Sequence, residues 1–414
     1  MRTPIKIVNE IVELSLFTED FMKSSSSDIL KSEMEFQIWF NLEFIEVLRY
    51  THGILGKKIL FVTDSLIKAK WANILYDVNV RIVPSITSII ETEGRTMPKS
   101  NKLIVIGNPP YNANSNSRDS KPIYNRFIET IIDYIRPAKL SMIVPSRWMV
   151  GGKGLDKFRN RMMLDRRFKI CRDFKNSHDI FPRVDIPGGV NYFLWDSSHS
   201  GPCDFNGISR YIGEYDIVVR DNCARSIINK IKTSCSKYII DNVSTSKPYN
   251  IRTSEPIVET GILCFYNQSI GKKNVSEKSV IDKQKNLNLW KVIVPIAPIA
   301  GQTNFNKPIS IFNNGNISIL PPMEICSETY IVLNSFNTEN ECFNFISYIK
   351  TKFFRFMLLQ RIDSQNVSRD CYAWIPDQID YSRSYSDEYL YAKYSLTKEE
   401  IDNIDGKIKD IAAS

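Results

Sequence analysis

The chain has 414 residues, 43% of them apolar and 11% aromatic, and a net charge of +8. That length supports two domains with real cores, and that composition excludes a disordered protein. Eight scattered cysteines without a C-x-x-C pair, beside only three histidines, argue against a metal site and for free thiols in a cytoplasmic protein. The absence of any apolar run of membrane-spanning length, or of a basic-then-apolar leader pattern, points the same way.

Thr3-Pro4 followed by apolar periodicity to residue 14 predicts an amphipathic helix with proline in its first turn. Residues 15–52 contain no glycine. They hold the run Ser24-Ser25-Ser26-Ser27-Asp28 and then an apolar pattern over residues 34–48 that predicts a helix. Residues 58–64 predict a strand ending in Asp64, with a helix following over 66–76. In a nucleotide-binding sheet an acid at the end of the second strand takes ribose hydroxyls. An Asp two residues ahead of a helix also serves as its N-cap, and both readings of Asp64 stand.

Leu103-Ile104-Val105-Ile106 predicts a short buried strand, ended by Gly107. Pro109 and Pro110 cannot continue a ladder, so the chain turns there. Asn108 and Tyr111 then sit at the C-terminal edge of a strand, where open α/β sheets bind their ligands. The Asn108 amide carbonyl accepts hydrogen bonds, and the proline-stiffened backbone lets a main-chain carbonyl converge on the same point. Tyr111 offers a flat stacking face. Two acceptors aimed at one exocyclic amine beside an aromatic platform suit a flipped-out adenine. A proline turn after a core strand is the plainer reading of the same residues.

A polar loop over 112–120 could close over such a base. A helix is predicted over 124–134 and a strand over 140–144. Between Arg136 and Asp185 stand thirteen Lys or Arg against five Asp, a local excess equal to the whole chain's net charge. Such a segment beside a base-binding loop is an electrostatic footprint for phosphates, and Arg147, Lys153 and Arg159 are its candidate contacts. Gly151-Gly152-Lys153-Gly154 is a flexible turn without P-loop spacing. A domain boundary is expected near 200/201, giving an α/β catalytic domain over 1–200 and an α+β target-recognition domain over 201–414. Beyond the boundary, short β-like runs at 217–219, 238–240 and 292–294 precede one long amphipathic helix over 343–360. The polar stretch 361–376 then offers Gln365, Asn366 and Arg369 for base edges and phosphates.

Ile106-Gly107-Asn108-Pro109-Pro110-Tyr111 resembles the catalytic loop of the gamma-class adenine-N6 DNA methyltransferases of type IIG and stand-alone modification systems. The resemblance continues in Pro145-Ser146-Arg147-Trp148, in Asp173-Phe174-Lys175-Asn176-Ser177, in Ile180-Phe181-Pro182 and in Gly188-Gly189-Val190-Asn191-Tyr192. It is strong over residues 100–205. It implies a Rossmann-like methyltransferase sheet with helices on both faces, S-adenosylmethionine as cofactor and double-stranded DNA as partner. A separately encoded nuclease or partner subunit would also fit. It further implies that Thr3 and Pro4 lie against the methionine end of the cofactor, that Asp64 takes its ribose, and that Phe181 closes the second face of the base over Tyr111. The family's glycine-rich cofactor loop has no counterpart in residues 15–52, where the serine run reads as a turn. Three functions stay open: a DNA adenine-N6 methyltransferase, a DNA-binding relative without effective cofactor binding, and an amino-methyltransferase of RNA or protein.

Overall fold

A computed structural model describes residues 103–113, 121–299, 301–302, 307–312, 316–362 and 366–411, and the backbone of 35–39, 59–63 and 79–82. The chain divides into two compact units, Met1–Val218 and Val219–Ser414.

The first unit is built on one nine-stranded sheet in the order β3-β2-β1-β4-β5-β7-β6-β8-β9. Its strands are β1 (Glu35–Trp39), β2 (Ile59–Thr63), β3 (Asn79–Ile82), β4 (Leu103–Gly107), β5 (Lys139–Pro145), β6 (Phe168–Phe174), β7 (Val190–Asp196), β8 (Cys203–Phe205) and β9 (Ile208–Arg210). β1 pairs in parallel with both β2 and β4, β2 with β3, and β4 with β5. β7 runs antiparallel between β5 and β6. The strand order therefore reverses between β1 and β4, and in a doubly wound sheet that reversal opens the ligand crevice at the C-terminal strand ends. The fold is the Rossmann-like α/β class that the resemblance implied.

Helix α1 (Tyr124–Thr130) continues as a π-turn over Ile131–Ile135 and links β4 to β5; α2 (Asp156–Leu164) links β5 towards β6. Both crossovers progress in one direction along the sheet, so right-handed connection puts both helices on one face. Leu103, Val105, Leu140, Met142 and Val144 pack there against Tyr124, Phe127, Ile128, Phe158 and Met162. The alternate residues Ile104, Ile106 and Ile143 point to the other face and are equally inaccessible. Parallel strands buried on both faces read as unbroken apolar runs, which is why β4 was visible in the sequence.

The helix expected over residues 34–48 is not what begins there: Glu35–Trp39 is β1, at the centre of the parallel strands. Phe36 and Ile38 fit period two as well as a helical stripe, and over so short a run periodicity does not separate them. The serine run thus precedes β1 in the chain. The first unit also extends beyond the expected boundary at 200/201, because β8 pairs with β6 and β9 with β8.

The second unit opens with α3 (Asn222–Ser234). It holds two three-stranded sheets, ordered β11-β10-β14 and β13-β12-β15. Their strands are β10 (Ile262–Asn267), β11 (Gly271–Val275), β12 (Trp290–Pro295), β13 (Ser318–Leu320), β14 (Glu324–Cys326) and β15 (Tyr330–Phe336). Of the three short β-like runs only 292–294 is a strand, within β12. Residues 239–241 form a 3-10 turn, and 217–219 are buried without a ladder. The single helix expected over 343–360 is two, α4 (Glu339–Lys350) and α5 (Lys352–Leu359). Thr351 separates them: its backbone is extended and its hydroxyl accepts from the Phe354 N–H at 3.1 Å, capping the second helix. α6 (Asp387–Lys393) and α7 (Lys398–Lys407) follow, α7 closed by a Thr397–Glu400 capping box.

Candidate active site

β4 delivers residues 108–111 to the C-terminal edge of the sheet, beside the reversal of strand order. Asn108 is 3% exposed and Tyr111 half-buried. A buried amide acts in a low-dielectric surrounding, where each bond it makes is stronger than in water. The Tyr111 hydroxyl is buried and makes no hydrogen bond among the described residues. Burial holds its proton on, far above the usual phenol range.

The Tyr111 ring meets Tyr124 edge-on, with centroids 6.5 Å apart. The edge-on series continues from Tyr124 to Phe158 at 6.2 Å, from Phe158 to Trp148 at 5.7 Å and from Trp148 to Phe168 at 5.9 Å. Edge-to-face packing fixes ring orientation as well as burying area. One chain of rings therefore ties the 108–111 loop to the turn after β5. The loop is also closed behind Tyr111. Ala113 N–H donates to the Lys121 carbonyl at 3.0 Å and Ile123 N–H to the Tyr111 carbonyl at 3.1 Å, around an Asn112–Pro122 bridge.

The turn after β5 has its own buried polar anchor. Ser146 Oγ donates to Asp173 Oδ1 at 2.7 Å and accepts from Asn191 Nδ2 at 3.2 Å, and the Ser146 N–H donates to the Gly189 carbonyl at 3.0 Å. Asn206 completes it, accepting from the Asp173 N–H at 2.8 Å and donating to the Asp173 carbonyl at 3.2 Å. These residues join β5, β6 and β7 at the same sheet edge as Asn108. In the sequence Ser146, Asp173 and Asn191 stand in three separate motifs, and the fold brings them together. Gly189 explains one of those motifs. Its φ is +77°, and a Cβ there would lie 2.0 Å from the Phe174 carbonyl oxygen, so only glycine closes the approach.

Phe181 is placed differently from the expectation. It is 2% exposed, inside a loop folded on Ser177, whose Oγ donates to the Val184 carbonyl at 2.9 Å and accepts from the Ile186 N–H at 3.0 Å. A base could reach that ring only if the loop opened.

Arg159 is likewise committed. Its Nη1 donates to the Val150 carbonyl at 2.7 Å and pairs with Asp156 at 3.0 Å, and its side chain is 12% exposed. It braces the glycine turn: a Cβ on Gly151 would fall 1.8 Å from Arg159 Nη1, and Gly151 has φ +111°. Other cations of the basic segment are spent on carboxylates. Arg161 bridges to Asp133 through two bonds of 2.6 and 2.7 Å, and Arg172 to Asp204 through two of 2.8 and 2.9 Å. Arg167 pairs with Asp165 at 2.7 Å and lies 4.7 Å over Trp195. Burial raises the Asp165 carboxyl, but the hydrogen bonds from Arg167 and Trp195 outweigh it and hold the group below its usual range. Lys153 is exposed and Arg147 half-buried.

In the second unit Arg369 Nε donates to the carbonyls of Ile240 at 3.1 Å and Val243 at 3.0 Å. It holds a turn of its own unit. Asn366 is exposed. Thr3, Pro4, Asp64 and Gln365 lie outside the described residues. Among the described residues no group of three or more His, Cys, Asp or Glu could hold a metal ion, and no helix is long and apolar enough to cross a membrane.

A Rossmann-like sheet with an Asn-Pro-Pro-Tyr loop at its switch point defines the class of the first unit. Comparison with known proteins adds a family match around that loop. Residues 65–181 match the Eco57I restriction-modification methylase family. An uncharacterized adenine-specific methylase of Mycoplasma pneumoniae is 32% identical over 103 residues, 24% of this chain and 24% of that protein. The alignment thus spans about a quarter of the length of that curated relative. Two solved structures are looser likenesses. The methyltransferase subunit of a type I restriction-modification system from Streptococcus thermophilus is 11% identical at a TM-score of 0.34, over 48% of this chain and 45% of that one. The type IIL restriction-modification enzyme MmeI in complex with DNA is 8% identical at a TM-score of 0.40, over 88% of this chain and 64% of that one. Residues 106–111, which carry the resemblance read from the sequence, lie inside the stretch that matches the methylase family model.

Proposed function

We propose that the chain is a site-specific DNA methyltransferase, transferring a methyl group from S-adenosylmethionine to N6 of adenine in duplex DNA. The observation that carries this reading is the exit of Asn108-Pro109-Pro110-Tyr111 from β4 at the strand-order reversal. The Asn108 side-chain carbonyl accepts one N–H of the target amine and the Pro109 main-chain carbonyl the other. Together they draw the nitrogen lone pair out of ring conjugation. Pro110 holds the turn, and the Tyr111 ring stacks on the base. Most of the barrier reduction is positioning, which the aromatic series behind Tyr111 and the Ser146–Asp173–Asn191 anchor support.

The fold suits an adenosyl cofactor on topological grounds: the crevice between β1 and β4 is where such sheets bind nucleotides, and Asp64 directly follows β2. Bound there, S-adenosylmethionine supplies an activated methyl group. Residues 40–52, which follow β1, contain no glycine, so the backbone approach that glycine permits is lost and affinity is expected to be weaker than in a glycine-lined site. Lys153 and Arg147 are phosphate contacts in this reading, and Asn366 a groove contact. The setting is the cytoplasm, with cutting supplied by a separately encoded nuclease or partner subunit.

The test is transfer of isotope-labelled methyl from S-adenosylmethionine to unmethylated duplex DNA, with the product identified by mass spectrometry. N6-methyladenine is the expected product. Duplex binding without transfer at saturating cofactor would instead leave a DNA-binding relative. Transfer to RNA or protein alone would overturn the substrate.

A further inference from the structure

Arg369 Nε is tied to two backbone carbonyls of its own unit, and a different surface of the second unit carries chemistry suited to DNA. β10 and β11 form a two-stranded ribbon whose free strand, β11, lies at the edge of its sheet. The base of the ribbon is anchored by Ile262, Cys264, Tyr266 and Val275, all in the core. Its tip is open: Gln268, Ser269 and Ile270 are exposed, Ile270 at 43%. The tip is also shaped. Asn267 Oδ1 accepts from the N–H groups of Ser269 at 2.9 Å and Ile270 at 2.8 Å, and Gly271 turns the chain at φ +72°.

The ribbon and the turn after it are strongly basic. Residues 267–289 hold five lysines, at 272, 273, 278, 283 and 285, against two acids. One of those acids is directed inward: the Asp282 carboxylate accepts from the Asn286 N–H at 3.1 Å and the Leu287 N–H at 2.9 Å. Lys272 is paired with Glu324 at 2.6 Å, while Lys273 and Lys278 are exposed. One or two lysines on an edge strand guard it against pairing with another chain. Here the lysines continue past the strand, and an exposed isoleucine sits at the tip, which guarding does not require.

We propose that the β10–β11 ribbon is a DNA contact, with Lys273 and Lys278 on phosphates and the Ser269–Ile270 tip at base edges in the major groove. That groove, about 12 Å wide, admits a two-stranded ribbon. A hydroxyl reads either donor or acceptor edges there, and an apolar side chain meets the thymine methyl. The proposal rests on the DNA reading above and names the surface that does the reading.

The experiment uses the full chain and a mixed-sequence duplex, with affinity measured across a salt series. The paired substitution Lys273→Gln, Lys278→Gln should lower affinity and reduce the salt slope by about two units, one per phosphate contact. Its melting temperature should match wild type, since both side chains are exposed. Ile270→Ser should change which adenines are methylated in genomic DNA. An unchanged slope in the paired variant overturns the phosphate contact, and an unchanged set of methylated sites overturns the base-edge contact. A wild-type chain that binds no duplex overturns the underlying DNA reading, and this proposal with it.

Discussion

Residues 108–111 in the first unit and residues 361–376 in the second both carry amides, aromatic rings and prolines, yet the fold uses them in opposite ways. The first group leaves a strand at a sheet edge, with its proline turn holding the chain away from the ladder. The second group holds its own unit together. Arg361 Nε donates to the Asp370 carbonyl at 2.8 Å and its guanidinium lies 4.4 Å over Trp374, while Arg369 holds the carbonyls of Ile240 and Val243. A cation is available to a ligand only where the backbone and neighbouring carboxylates have not already claimed it. The basic segment of the first unit teaches the same point through Arg159, Arg161, Arg167 and Arg172.

The comparison breaks most visibly at Asn108. Asn108→Ala is expected to lower methyl transfer by about a hundredfold or more, the scale of losing one preorganised transition-state hydrogen bond. Duplex binding should stay nearly intact, and turnover equal to wild type would move the chemistry elsewhere. Arg369→Ala should do the reverse. Two carbonyls lose their donor, so stability should fall by roughly 1–3 kcal/mol, read by denaturant unfolding. Any loss of affinity should be the same on specific and scrambled duplexes, and a loss confined to the specific duplex would restore Arg369 as a base reader.

A smaller effect sharpens the contrast through pH. The folded Asp165 carboxyl lies below its ordinary value of 3.8. The unfolded chain therefore takes up that proton more readily, and the stability Asp165 contributes is fully present above the ordinary value. It is lost as pH falls through the lowered folded value. Asp165→Asn should lower the melting temperature at neutral pH and flatten this acid limb below pH 3.8. An identical limb in both proteins would mean that Arg167 and Trp195 do not favour the charged form. The smallest change is expected from Tyr111→Phe. The buried hydroxyl makes no bond among the described residues, so its removal should leave stability unchanged or slightly raised and leave transfer in place. Tyr111→Ala, which removes the stacking face, should weaken capture of the base by about 1–3 kcal/mol.

Much of this was written plainly in the chain, and the exceptions have physical causes. β4 was legible because a strand buried on both faces is an unbroken apolar run with a glycine stop. The 108–111 loop was legible because two prolines permit little else. β1 was not, because Phe36 and Ile38 satisfy two periods at once. The break at Thr351 was hidden because α4 and α5 both present apolar faces across it, and only the cap, Thr351 Oγ to Phe354 N–H, reveals the end. The burial of Phe181 and the ion pairs of Arg161 and Arg172 depend on partners 28 and 32 residues away or on a loop folded over itself. Local sequence does not contain them.

The bridge between Asn112 and Pro122 has a consequence for how this site could be altered. Because Ala113 N–H is bonded to the Lys121 carbonyl and Ile123 N–H to the Tyr111 carbonyl, Tyr111 is clasped directly to the residue that leads into α1. Residues 114–120 lie outside the described residues. The clasp anchors Tyr111 from both sides of that stretch, so substitutions within it should leave the 108–111 loop in register.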